Sequence, residues 1–173
     1  MKILGKYMLQ VSKRTQKIIA SPIRKFLPLV LEAEKKGIKV IKLNVGDPDL
    51  EPPRIFWETL KDYKSRNLPY APSPGILEHV LAWVKYYSDF GVKLQARNII
   101  PTVGCAEAIL LAILAVTDPG DELIVFEPLY TSYKGLAAMC DVKLVPVTLF
   151  VENNFSLPSQ KEIEKKISKK TKA

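Results

Sequence analysis

Cysteine and histidine are scarce in this chain, which holds two cysteines, Cys105 and Cys140, and a single histidine, His79. No CxxC spacing occurs and the two thiols stand far apart, so neither a zinc site nor a disulfide framework is expected, and a reducing, cytoplasmic setting fits. Long apolar runs are lacking too. The longest, Ala108 to Val116, falls short of the roughly 20 residues that span a bilayer. Between Met1 and Gln10 the residues Tyr7 and Gln10 interrupt any apolar stretch and no small-residue cleavage site follows, so no secretory leader is expected. The motifs of several enzyme classes are absent as well. There is no GxxxxGK(S/T) phosphate loop and no GxGxxG dinucleotide turn. A serine nucleophile would need a GxSxG elbow, which does not occur, and His79 is the one histidine that could act as its base. Cys105 suggests a cysteine phosphatase, but that chemistry wants an arginine six residues on, where Leu111 stands.

What is present describes a globular chain. With 173 residues, 47% hydrophobic and 25% charged, the composition is that of one packed domain rather than a disordered or fibrous segment. The net charge of +8 is concentrated: Lys161 to Ala173 contains six lysines and two glutamates, half of the total. Ile163 and Ile167, four residues apart, place this stretch on a helix with one apolar face and a lysine face turned to water. Interleaved aromatics and RNA-binding signatures are missing, so neither nucleic acid nor a membrane is expected as a partner.

The apolar spacing alternates between helical and strand-like along the chain, which predicts an α/β architecture. A first helix fits Pro22 to Lys36, with Ser21 as N-cap and Gly37 just past its end. A short strand is expected over Val40 to Asn44, and a helix from Pro53 to Arg66. Ile76 to Phe90 reads as an amphipathic helix, with His79 beside its apolar stripe as a boundary side chain of no assigned role. Asn98 to Val103 reads as a strand running into Gly104 and a helix whose Ala108–Val116 segment is apolar on every face and therefore expected to be buried. Asp118-Pro119-Gly120-Asp121 is a turn. Glu122 to Phe126 and Val142 to Val147 are strands, with a helix over Tyr130 to Cys140 between them. A last helix over Ser159 to Ser168 should lead into another strand after Lys172.

The junction Thr102-Val103-Gly104-Cys105-Ala106-Glu107 carries the most chemical information. The first backbone N–H groups of a helix lack partners within it, and the aligned peptide dipoles place partial positive charge there. A strand that turns into a helix through glycine and two small residues can therefore hold a phosphate. The same residues also suit a plain strand-to-helix turn in which Gly104 serves the backbone alone.

Five segments in register favour the phosphate loop. Leu43-Asn44-Val45-Gly46-Asp47-Pro48-Asp49, Tyr70-Ala71-Pro72-Ser73-Pro74-Gly75-Ile76, Val103-Gly104-Cys105-Ala106-Glu107-Ala108, Asp118-Pro119-Gly120-Asp121-Glu122 and Glu127-Pro128-Leu129-Tyr130-Thr131-Ser132-Tyr133 follow one another in the order and spacing of the class I/II aminotransferases, which the chain resembles from Ser12 onward. These are fold type I pyridoxal-phosphate enzymes. The resemblance implies a partial three-layer α/β/α large domain over 46–173 and, over 1–45, an arm and first helix belonging to the small domain. It implies pyridoxal 5'-phosphate as cofactor, an amino acid and a 2-oxo acid as substrates, no metal, and a homodimer.

On that resemblance Gly104, Cys105 and Ala106 match the loop that holds the cofactor phosphate, and Tyr130 matches the aromatic stacked on the pyridine ring. Tyr70 matches the tyrosine that reaches the partner subunit's phosphate, and Gly46 the glycine that approaches the substrate carboxylate. Core packing for the two tyrosines and a turn for Gly46 are the bland readings of the same residues. Ala106 stands where some bacterial aspartate aminotransferases carry a lysine for the substrate's second carboxylate, so a dicarboxylate substrate is not implied. The family's cofactor-linking lysine, its pyridine-nitrogen aspartate and its carboxylate-binding arginine match positions past Ala173, so no catalytic residue is assigned. Lys134, on the helix after Tyr130, matches no catalytic group and is expected to be solvated. An amino-acid aminotransferase silent in these 173 residues alone is the leading expectation. A carbon–sulfur lyase, a synthase or a regulator domain of the same fold would share these motifs, and a binding module using the Lys-rich end is the reading from another class.

Overall fold

The computed structural model describes residues 11–18, 23–46 and 48–173. In chain order its helices are α1 (Lys13–Lys17), α2 (Leu27–Lys35), α3 (Arg54–Asp62), α4 (Leu77–Asp89), α5 (Gly104–Val116), α6 (Ser132–Met139) and α7 (Gln160–Glu164). Strand β1 (Glu122–Glu127) lies between α5 and α6, and β2 (Lys143–Thr148) between α6 and α7. These elements form two compact units, one of residues up to Lys42 together with Gly104–Ala173, the other of Leu43–Val103. Among the described residues no helix is long and apolar enough to cross a membrane.

In the first unit, β1 and β2 are parallel and paired from Glu122 opposite Lys143 to Glu127 opposite Thr148. Parallel strands need a crossover to bring the chain back to the same end, and α6 supplies it. The turn before β1 is closed from both sides: the Asp118 N–H donates to Asp121 Oδ2 at 2.9 Å, and the Asp121 N–H to the Asp118 carbonyl at 3.0 Å. Ile113 of α5, Leu123 of β1, Ala137 of α6 and Val142 form the buried core, with Ile109, Leu136, Cys140 and Leu144 packed against it. Leu123 and Leu144 are register partners, so they share the sheet face on which α5 and α6 lie. Removing each large apolar side chain from water contributes roughly 1.5–3 kcal/mol.

The chain returns to the sheet earlier than the expected strand after Lys172, already over Lys170–Ala173. The Glu122 N–H donates to the Lys170 carbonyl at 2.8 Å, the Lys172 N–H to the Glu122 carbonyl at 3.0 Å, and the Ile124 N–H to the Ala173 carbonyl at 2.8 Å. The segment therefore runs parallel to β1 and meets it in one bridge, Glu122 opposite Thr171. The helix before it is shorter than its sequence pattern, ending at Glu164 rather than Ser168. Its start is set by a capping box in which Ser159 and Glu162 satisfy each other's backbone N–H groups.

Several sequence expectations are corrected. Ser21 and Pro22 lie outside the described residues, and the expected first helix is divided: Arg24–Phe26 winds as a 3-10 turn and α2 begins at Leu27. Pro28 is the cause, because a ring nitrogen without a hydrogen is tolerated in the first turn of a helix and not in its interior. Gly37, with φ of +77°, ends α2 as expected. The strands expected over Val40–Asn44 and Asn98–Val103 do not form, and the sheet consists of β1 and β2. Ala96–Asn98 is instead a 3-10 turn boxed by Gln95 and Asn98. Extended preference is local, whereas a strand exists through ladder pairing, and among the described residues neither segment joins the sheet. The helix expected to end at Arg66 stops at Asp62, since Ser65 and Asn67 close a turn on each other ahead of Pro69.

The α5 helix departs furthest from expectation. Its apolar residues were expected to be covered all round, yet Leu114 is 57% exposed while Ile113 beside it is 3% exposed. One side of the helix meets the sheet and α6, and the other carries Leu111 and Leu114 at the surface.

In the second unit Val80 of α4 is the buried residue, and Gly75 lies against it and Pro101. A Cβ on Gly75 would stand 2.6 Å from Pro101 Cγ, and φ there is +95°, so space and backbone both require glycine. On α4 the Trp83 indole N–H donates to His79 Nε2 at 2.8 Å, which gives the lone histidine a structural partner.

Candidate functional site

The phosphate-loop candidates open α5. Gly104 has φ of +78° with nothing within 4 Å of where a Cβ would be, and it, Cys105, Ala106 and Glu107 are all exposed. The left-handed φ turns the backbone sharply into the helix, and small side chains leave the approach to the first turn open. α5 has 13 residues, enough for an aligned peptide dipole to act at its start. What the arrangement can do chemically is accept an anion on backbone donors, with Glu107 in the same turn setting the opposing charge.

Tyr130 sits in the four-residue loop Pro128–Thr131 between β1 and α6. Its ring is about half exposed, and its carbonyl accepts the Tyr133 N–H at 3.1 Å, which starts the helix. A short connection, Thr117–Asp121, sends the chain from α5 back along the sheet. The 13 residues of α5 span about 20 Å, and the six of β1 about the same. Gly104 and the Tyr130 loop therefore fall at one end of this unit.

Tyr70 and Gly46 belong to the Leu43–Val103 unit. Tyr70 is fully exposed, and Gly46 is exposed with open space around it. Asp47, in the same motif, lies outside the described residues.

Two features escaped sequence reasoning. Lys134 is solvated as expected, with its side chain about half exposed, but its Nζ also lies 3.7 Å from Glu127 Oε1, a pairing the sequence reading did not assign. Both residues line a cavity of about 330 Å³ together with Val125, Leu129, Leu144 and Pro146. Opposite charges seven residues apart across a strand-to-helix loop are the signal that was available. The second feature is α1, capped where Ser12 Oγ accepts the Thr15 N–H at 3.1 Å and tied to the α6–β2 turn by Lys17 Nζ on Asp141 Oδ1 at 2.6 Å. The Lys17 hydrogen bond, then its charge, hold the Asp141 carboxyl below the ordinary aspartate range. Burial raises the Cys140 thiol, opposed by the nearby Arg14 charge.

Comparison with known proteins decides what kind of chain carries this site. The model of the family "Aminotransferase class I and II" matches residues 38–173. The chain belongs to the class I and II aminotransferases. This aminotransferase chain is 35% identical over 163 residues to the aspartate aminotransferase of Pyrococcus horikoshii, covering 93% of itself and 40% of that protein. It is 32% identical to the aspartate aminotransferase of Thermotoga maritima, over 94% of itself and 44% of the relative. Among solved structures, the alanine aminotransferase from Pyrococcus furiosus superposes with a TM-score of 0.85 at 35% identity, over 94% of this chain and 42% of that one. The chain thus spans about two fifths of the length of the aminotransferases it matches, and its α/β fold is that of their corresponding part.

Proposed function

We propose that this chain is the phosphate- and ring-binding portion of an amino-acid aminotransferase that uses pyridoxal 5'-phosphate. The observation that carries the reading is the exposed start of α5. A left-handed glycine and two small residues open a 13-residue helix within the part of the chain that the family model matches. Open space before backbone donors fits a phosphate, and an exposed aromatic at the same end of the unit fits a flat ring.

In this reading Gly104, Cys105 and Ala106 hold the phosphate through their backbone N–H groups, which are charge-assisted donors when they meet an anion. Tyr130 lies against the pyridine and fixes its plane. Tyr70 serves the phosphate of a second copy in a homodimer, and Gly46 lets the substrate carboxylate approach the backbone. When bound, the cofactor supplies the carbonyl and the electron-withdrawing ring that amino-group transfer requires. The residues of this chain bind and orient it. An amino acid and a 2-oxo acid are the substrates of the whole protein, which we place in the cytoplasm.

Pyridoxamine 5'-phosphate is the suitable probe, because its amine cannot form imines with the many surface lysines. Titration calorimetry is expected to show saturable binding that weakens about ten-fold in Tyr130→Ala, the loss of one aromatic contact. The 173-residue chain supplied with pyridoxal phosphate and an amino acid is expected to release no 2-oxo acid. Binding unaffected by Tyr130→Ala, or turnover by this chain, would overturn the assignment.

A further inference from the structure

Tyr130 is half-exposed on a short loop whose preceding residue, Leu129, lines an open cleft rather than a packed core. The cleft of about 330 Å³ is open to solvent and is lined by Leu129 of the loop, by Ala137 and Ala138 of α6, and by Val125, Leu144 and Pro146 of the sheet. Close packing is what normally holds a loop in one conformation, and here the small alanines leave that space unfilled. Backbone bonds fix the two ends. The Leu149 N–H donates to the Glu127 carbonyl at 2.7 Å, and the Lys134 N–H donates to the Thr131 carbonyl at 3.2 Å. Across those ends stands the ion pair, Lys134 Nζ to Glu127 Oε1 at 3.7 Å, with the carboxylate one-third exposed and the ammonium about half.

The placement of these charges is informative. A lysine in the first turn of a helix meets the positive end of the peptide dipole and is disfavoured there, whereas a carboxylate facing that end is favoured. Lys134 occupies the first turn of α6, and Glu127, the last residue of β1, faces it. The Glu127 carboxylate answers both the Lys134 charge and the helix, and so offsets the unfavourable place of the lysine. We propose that Glu127 and Lys134 are positioning residues for Tyr130: their pairing ties the sheet to the helix across the base of the loop and holds the ring where packing does not. The proposal rests on Tyr130 being the ring platform of the cofactor site.

The full chain, labelled with 3-fluorotyrosine, provides a readout that needs no cofactor. Its Tyr130 fluorine line is assigned by its loss in Tyr130→Phe. In Glu127→Gln and in Lys134→Met that line is expected to shift and narrow as the ring gains motion, and the exchanged pair Glu127→Lys with Lys134→Glu is expected to restore it in part. Affinity for pyridoxamine 5'-phosphate is expected to fall about two- to five-fold in each single variant, the scale of a half-exposed ion pair. The circular dichroism induced in the bound pyridine should fall with it and recover in the exchanged pair. An unchanged fluorine line in both single variants overturns the positioning role, whatever the cofactor does. Binding that is absent in the wild type, or indifferent to Tyr130→Ala, overturns the platform reading and the proposal with it. A unfolding midpoint lowered in the single variants with the Tyr130 line unchanged would mark the pair as merely structural, and also overturns it.

Discussion

Two glycines carry different physical demands at the scale of single residues. Gly104 adopts φ of +78° in open space, whereas Gly75 adopts +95° with Pro101 against it. A side chain in the left-handed region costs roughly 1–2 kcal/mol, so Gly104→Ala is expected to lower stability by about that amount with no clash. Gly75→Ala carries the same strain together with displacement of a proline ring, and is expected to lose more. Urea unfolding of both variants tests the order, and an equal or smaller loss at Gly75 would contradict the packing described. Gly104 was legible in the sequence as the turn into a helix, because a glycine there precedes a long apolar helical run, while its use as a phosphate loop or as a plain turn was not. The closeness of Gly75 to Pro101 was not, since it joins residues on either side of α4.

At the scale of elements, α5 divides into two sides. Ile113 is in the core, while Leu114, the next residue, points away from it and is more than half exposed. Ile113→Ala is expected to cost about 2–5 kcal/mol through lost burial and the cavity left behind. Leu114→Ala is expected to stay within about 0.5 kcal/mol, as surface changes do. Chemical unfolding of the purified chain measures both, and a large loss at Leu114 would mean that this side is covered in solution. The apolar periodicity of Ala108–Val116 showed that the helix has apolar residues on every side, but not which side the rest of the chain covers. The missing strands over Val40–Asn44 and Asn98–Val103 share this origin, for pairing depends on a distant partner that local pattern does not contain.

The scale of the whole molecule is where acid acts, because its carboxylates join segments far apart in sequence. Asp141 holds α1 through Lys17. Glu122 on β1 accepts from Ser168 Oγ at 2.6 Å and pairs with Lys143 on β2 at 3.0 Å. The Ser168 hydrogen bond first, then that from Lys143, lower the Glu122 carboxyl, and the Lys17 hydrogen bond lowers that of Asp141. A carboxylate whose pKa is depressed on folding adds stability above its unfolded value, about 3.9 for aspartate, and loses it as pH falls through the folded value. Amide exchange over Lys13–Lys17 is therefore expected to quicken as pH drops below the ordinary carboxylate range, after correction for intrinsic exchange. Asp141→Asn is expected to show the fast behaviour already at neutral pH and little further change in acid. Protection of α1 that is unaltered by Asp141→Asn would remove the tie from the account.

The amino-acid sequence by itself determined the family, the α/β class, the two strands with the helix between them, and the glycine at the head of α5. Each of these rests on local chemistry: a hydrophobic period, a turn residue, or a motif whose order along the chain is its evidence. The tertiary structure decided which apolar surfaces are covered, that Lys170–Ala173 lies beside β1, and that Glu127 and Lys134 meet below the Tyr130 loop. Those outcomes depend on distance in space. Neither a charge nor an apolar face carries in its own sequence the identity of the group that folding brings to it.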